Sequence, residues 1–232
     1  MPATAFPSPV LPGKEEMPAR IGEQLTNHSG LSDFLRDGTI TLIRVYQMTT
    51  PGGEVVTTYQ EATDIGESFR AQIEGRSEVA QLLRDHIKNT HGIDITAGPL
   101  PQSEDWLDFF EPAQPRQPGI AFSAPLAPGK TEVARSLGNE CRSRRGEWEA
   151  LNRGVGVSVH RGYITSTPMG DFGSVYFEAP DPVAANKAFA ADQSDFGKHF
   201  KEMAQEAFGI DFSQPLPPIR TIFEAQGQSI AV

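Results

Sequence analysis

The sequence predicts an α+β protein built from two copies of one βαββαβ module, and three observations predict it. A stretch near the start returns later in the chain, a set of landmarks follows each copy in the same order, and the apolar spacing alternates between strand and helix periods. Ala5-Phe6-Pro7-Ser8-Pro9-Val10-Leu11-Pro12-Gly13-Lys14-Glu15-Glu16 comes back as Ala121-Phe122-Ser123-Ala124-Pro125-Leu126-Ala127-Pro128-Gly129-Lys130-Thr131-Glu132, an offset of 116. The chain therefore reads as a first module over 1–111, a Pro-rich linker over 112–119, a second module over 120–226 and a tail over 227–232.

Each element has its own reason. Ala3 to Val10 forms a short strand, and Leu11-Pro12-Gly13-Lys14 closes it, because proline fixes φ and glycine supplies the special backbone angle. A helix follows from Glu15 and Glu16, whose charge suits a helix N-terminus; Ile21, Leu25, Leu31, Phe34 and Leu35 supply its apolar side. Asn27-His28-Ser29-Gly30 breaks that helix in two, and Gly38 stops it. Thr39 to Thr49 and Glu54 to Ala62, parted by Thr50-Pro51-Gly52-Gly53, form a β-hairpin rich in β-branched and aromatic residues. Asp64 caps one long helix, with Ile65, Phe69, Ile73, Val79, Leu82, Leu83 and Ile87 on its buried face, ending at His91-Gly92. Trp106 to Glu111 completes the module as its last strand.

The second copy repeats these landmarks. Leu151 and Gly154 match Leu35 and Gly38, Thr167-Pro168-Met169-Gly170 matches Thr50-Pro51-Gly52-Gly53, and Tyr176, Glu178, Ala179 and Asp181 match Tyr59, Glu61, Ala62 and Asp64. One residue is inserted between these groups. Gly209-Ile210-Asp211 matches Gly92-Ile93-Asp94, Pro215-Leu216-Pro217 matches Pro99-Leu100-Pro101, and Thr221 to Glu224 is the final strand.

Composition excludes several classes. A net charge of −10 leaves no basic face for nucleic acid, and the Arg142–Arg145 run reads as a solvated helix face. One cysteine, Cys141, rules out an internal disulfide and a cysteine metal knuckle, and suits a reducing compartment. The first ten residues lack a basic leader, and nowhere do eighteen apolar residues run together, so a cytoplasmic location and no membrane contact are expected. No GxGxxG, Walker or Gly-x-Ser-x-Gly sequence is present, which leaves tight nucleotide binding and serine hydrolysis without support.

A single module covers one sheet face with helices and leaves the other bare, so it needs a second sheet. This layout resembles the dimeric α+β-barrel superfamily, in which two ferredoxin-like modules pack sheet to sheet around a cavity. The Pro-Gly-Lys turn, the Thr167 to Asp171 hairpin and Gly209-Ile210-Asp211 are similar to a broad bacterial family of small modules. Among tandem members, the length and layout are similar to antibiotic-biosynthesis monooxygenases, including angucycline ring-opening oxygenases. That resemblance implies oxidation of an aromatic polyketide by molecular oxygen, with either no tightly bound cofactor or reduced flavin (FADH2 or FMNH2) delivered by a flavin reductase. A second copy of the chain is a further candidate partner.

Candidate site residues come from strand alternation. Gly173, Val175 and Phe177 form one set, leaving Ser174, Tyr176 and Glu178 on the other face; Thr57, Tyr59 and Glu61 are their counterparts. Tyr59 and Tyr176 would offer a ring and a hydroxyl to a planar ligand, although filling the inter-sheet core explains them equally well, with Glu61 and Glu178 at its rim. On the preceding strand Arg44 matches His160, Val45 matches Arg161 and Gln47 matches Tyr163, and a bulge could switch faces. His160 is the preferred base for a phenol on pKa grounds, with Arg44 or Arg161 holding the anion. His199 stands where the first copy has Leu82, and His86 and His91 lack metal-pair spacing, so no metal is expected. Two other readings remain open: a haem enzyme using His199 or His160, and a non-catalytic small-molecule or stress-associated binder.

Overall fold

The computed structural model describes residues 1–98, 102–167 and 169–227. The Pro99-Leu100-Pro101 match, Pro168 of the hairpin turn and tail residues 228–232 lie outside them. Elements follow in the order β1 (Ala3–Pro9), α1 (Met17–Thr26), α2 (Leu31–Asp37), β2 (Ile40–Thr50), β3 (Gly53–Ala62), α3 (Ile65–Ile73), α4 (Glu78–His91), β4 (Ser103–Phe110), β5 (Gly119–Pro125), α5 (Thr131–Ser143), α6 (Arg145–Gly154), β6 (Val159–Thr167), β7 (Gly170–Glu178), α7 (Pro182–Ala191), α8 (Asp195–Phe208) and β8 (Ile219–Gln226). The class is α+β, with the βαββαβ order expected of each copy. Each expected long third helix is in fact two: Ser77 and Ser194 accept hydrogen bonds from Ala80 and Gly197 and start α4 and α8 afresh.

Two four-stranded antiparallel sheets result, in the orders β1-β3-β2-β8 and β4-β6-β7-β5. The fourth strand of each repeat thus joins the sheet of the other repeat. Two compact units result, Met1–Pro101 with Arg220–Val232, and Gln102–Ile219. Two glycines permit this arrangement. A Cβ on Gly22 of α1 would lie 2.2 Å from the Ile222 carbonyl oxygen of β8, and one on Gly138 of α5 equally close to the Trp106 carbonyl oxygen of β4. Only a bare backbone lets each helix seat on the incoming strand.

Strand register corrects the alignment of the two repeats. Arg44 faces Tyr59 across β2 and β3, and Arg161 faces Tyr176 across β6 and β7. Arg44 therefore pairs with Arg161, Tyr46 with Tyr163 and Ile43 with His160, one position from the match expected by sequence. The single inserted residue falls earlier: Thr39 and Gly156 are the equivalent left-handed residues ahead of the second strands, and α2 Phe34 and Leu35 fill the buried places of α6 Leu151 and Asn152. With that shift, the second unit carries Asn152 and His160 where the first carries Leu35 and Ile43 inside its apolar core.

Candidate functional site

Alternation sends the expected site residues to two different faces. In the second unit Tyr176, Glu178, Arg161 and Tyr163 share the sheet face turned away from the helices, while His160, Val175 and Phe177 point toward α7 and α8. His160 and Arg161, proposed as base and anion holder, are thus divided by the sheet. The tyrosine face is built around internal bonds. Tyr176 donates its hydroxyl to Glu178 Oε1, and Tyr59 donates to Glu61 Oε1 at 2.5 Å. Arg116, a linker residue that sequence reasoning passed over, folds back to give Glu178 a bidentate partner, with Nε 3.0 Å from Oε2 and Nη2 2.5 Å from Oε1. Glu61 and Glu178 are fully buried, not at a rim.

The arginines clamp the fourth strands. Arg44 Nη2 lies 2.9 Å from Glu224 of β8, and Arg161 Nε lies 3.2 Å from Asp108 of β4, its guanidinium 4.0 Å from the Phe110 ring centroid. His199 is elsewhere, on α8, with Nε2 2.5 Å from Glu140 of α5 near the surface. His86 and His91 meet edge to face at the end of α4. Among the described residues no three His, Cys, Asp or Glu side chains are grouped to hold a metal.

The more reactive geometry lies on the helix side of the second sheet. His160 Nδ1 is 2.8 Å from Asn152 Oδ1, and Asn152 Nδ2 donates to the Trp148 carbonyl at 2.8 Å. Since a carbonyl can only accept, the amide must present nitrogen to Trp148 and oxygen to His160, so Nδ1 carries the proton and Nε2 keeps its lone pair. Around the imidazole stand Trp148 at 4.8 Å, Phe177 at 5.9 Å and Phe189 at 6.2 Å between ring centroids, and Trp148 stacks on Phe200. Burial among these rings pushes the His160 imidazole down to about 3. Held toward its neutral form by that burial, His160 presents Nε2 as a hydrogen-bond acceptor.

A cavity of about 50 Å³ opens beside this histidine, lined by Phe177, Phe189, Phe200 and Phe208, by Asn186 and by Trp106, whose buried indole N–H has no partner among the described residues, and by Phe212 and Leu216 from the segment before β8. Among the described residues no Lys or Arg lines it. Sequence reasoning gave neither Asn152 nor Trp148 a place in the site. Their i, i+4 spacing on a helix was the available signal.

No family model matches the chain, and no curated protein sequence does. Solved structures do. A provisionally named monooxygenase from Lactobacillus acidophilus NCFM superposes with a TM-score of 0.54 at 8% identity, over 97% of both chains. Another such protein, from Fusobacterium nucleatum subsp. nucleatum ATCC 25586, gives 0.51 at 8% identity over 97% of this chain and 93% of its own. An anthrone oxidase-like protein gives 0.48 at 13% identity over 99% and 96%. The chain has the tandem ferredoxin-like fold of the first two along nearly its whole length. Among the described residues no helix is long and apolar enough to cross a membrane.

Proposed function

We propose that the chain is an oxygenase that binds a planar hydroxyarene, of the aromatic polyketide kind, in the helix-side cavity of its second unit. One observation carries the reading: Asn152 fixes His160 so that an imidazole lone pair is offered inside an aromatic cage. A phenolic O–H is the donor that suits such an acceptor, and the surrounding rings suit its flat apolar body. The fold shared with provisionally named monooxygenases supports the class of reaction.

The proposed reaction draws its electrons from the substrate, since the cavity lining supplies no cation for a flavin phosphate. The substrate hydroxyl donates to His160 Nε2, which raises electron density at the ring carbon para to it. Molecular oxygen bonds to that carbon and takes up the hydroxyl proton as a hydroperoxide; loss of the carbon's hydrogen with cleavage of the O–O bond then releases water and leaves a quinone. Phenol plus O2 gives quinone plus water, and both oxygen atoms are accounted for. As the ligand approaches, Phe212 and Leu216 must swing aside, because about 50 Å³ holds only part of a ring system.

Oxygen uptake with a series of naphthols and hydroxyanthrones, with and without reduced flavin, tests this. Uptake without flavin that is lost in His160→Leu is expected. Binding of these compounds without uptake under either condition would favour a non-catalytic carrier.

A further inference from the structure

The edge strand β4 carries a bulge, and the bulge turns a hydrogen-bond donor into the aromatic cavity. Asp105 pairs with Tyr163 and Leu107 with Gly162, so Trp106 is the extra residue between them. Plain alternation would send Trp106 and Leu107 to opposite faces; with the bulge both line the helix-side cavity. The indole reaches the Phe208 ring of α8 at 5.9 Å between centroids. Its Nε1 edge lies over Gly162, where a Cβ would come within 2.6 Å of the nitrogen. Only a bare backbone leaves room for it.

An indole N–H can only donate. Trp106 is 2% exposed, and among the described residues nothing accepts from its Nε1. Trp148 differs, because its Nε1 donates to the Asp108 carbonyl at 3.2 Å. A buried donor left unmatched is unfavourable for the fold, and an acceptor brought by a ligand supplies the missing bond. Gly162 and His160 stand two residues apart on β6, on one face, about 6.5 Å apart along the strand. One wall of the cavity therefore offers an acceptor, His160 Nε2, beside a donor, Trp106 Nε1.

The duplication supplies an internal control. By strand register Ile43 and Val45 occupy the places of His160 and Gly162. Ile222 occupies that of Trp106, since its carbonyl approaches Gly22 as the Trp106 carbonyl approaches Gly138. With Leu35 in the place of Asn152, the first unit fills all four positions with aliphatic side chains, and these line its own helix-side pocket. The fold thus requires no polar group at any of them. In the second unit the four departures converge on one cavity, and what they add is an acceptor and a donor. Among the described residues no charged side chain lines that cavity, so the matching oxygen of the ligand is neutral.

We infer that Trp106 is a second anchor of this cavity and that the ligand is a hydroxyaryl ketone, its hydroxyl donating to His160 Nε2 and its ketone oxygen accepting from Trp106 Nε1. The inference rests on the hydroxyarene site proposed above and narrows its ligand, and it does not depend on turnover.

Binding of 6-hydroxy-1-tetralone is compared with that of two analogues, the tetrahydronaphthol that lacks its ketone oxygen and 1-tetralone, which lacks its hydroxyl. In both phenols the carbon para to the hydroxyl bears no hydrogen, so the proposed oxidation cannot consume them. Calorimetry on the full chain should rank the hydroxytetralone about tenfold tighter than either analogue. It should carry the Trp106 indole N–H signal downfield in the NMR spectrum, which the tetrahydronaphthol should not do, and cause no such shift at Trp148. In Trp106→Phe, which keeps a ring and removes the N–H, the hydroxytetralone should bind no better than the tetrahydronaphthol. Equal affinities, no binding of the hydroxytetralone, or an unmoved Trp106 signal at saturation would overturn the assignment, as would a folded Trp106→Phe that keeps the preference. Oxygen uptake with naphthols, read on the same preparation, separates the two readings. Uptake with no preference for the ketone in binding sinks the Trp106 anchor alone, whereas the indole shift without any uptake supports the anchor and sinks the oxygenase reading alone.

Discussion

Asn152 Oδ1 lies 2.8 Å from His160 Nδ1, and this contact decides which nitrogen of the imidazole faces the aromatic cavity. Both partners are buried, Asn152 completely. The arrangement exists only in the second unit, where Asn152 and His160 replace the leucine and isoleucine of the first.

Asn152→Asp should keep the geometry and change the charge. A carboxylate beside Nδ1–H favours the imidazolium, so the His160 pKa should rise by one or more units from its low value. Asn152→Leu removes the acceptor instead, and should cost about 1–3 kcal/mol by stranding Nδ1–H. Imidazole NMR titration and urea unfolding of the two variants measure the two effects.

Stability should fall as pH drops. His160 and His86 titrate near 3 and 4 in the fold and near 6.5 once unfolded, so below 6.5 the unfolded chain takes up protons that the fold refuses. The stability they contribute is fully present above 6.5 and is lost as pH falls toward those folded values. At pH 4.5 the loss is about 2–3 kcal/mol at the buried His160 and smaller at His86, which is only partly buried and screened by solvent. Urea midpoints at pH 7.5 and 4.5 should show it, with a shallower dependence in His160→Leu.

Gly22→Ala and Gly138→Ala should destabilise alike, by about 1–3 kcal/mol or more, although alanine is the better helix former. Each added methyl runs into a strand carbonyl at 2.2 Å. Equal losses in thermal unfolding would mark the two sites as equivalent; a gain from either variant would contradict the close approach.

Glu224→Ala should cost about 1–2 kcal/mol, because Arg44 is 1% exposed and loses one of its acceptors. Asp108→Ala should cost less, since Asp108 is 69% exposed and water already screens its pair with Arg161. Glu224→Gln should recover part of the loss. Chemical denaturation of the three variants orders them.

The duplication, the α+β class and the element order were legible in the sequence because they rest on local rules: turn residues, caps and apolar period. The Tyr-x-Glu pairs were legible for the same reason, since alternation along one strand puts both on one face. Three matters were decided only by tertiary structure. Which sheet receives β4 or β8 depends on helix-to-strand contacts at Gly22 and Gly138, far away in sequence. Where the one-residue insertion falls depends on hydrogen-bond register, and a one-residue slip moves every side chain to the other face. That slip joined Arg44 to His160 in the sequence reading and concealed the equivalence of Arg44 and Arg161. Finally, the protonation of His160 depends on desolvation by Trp148, Phe177 and Phe189, which meet it only after folding; composition gives the titratable group, and packing sets its charge.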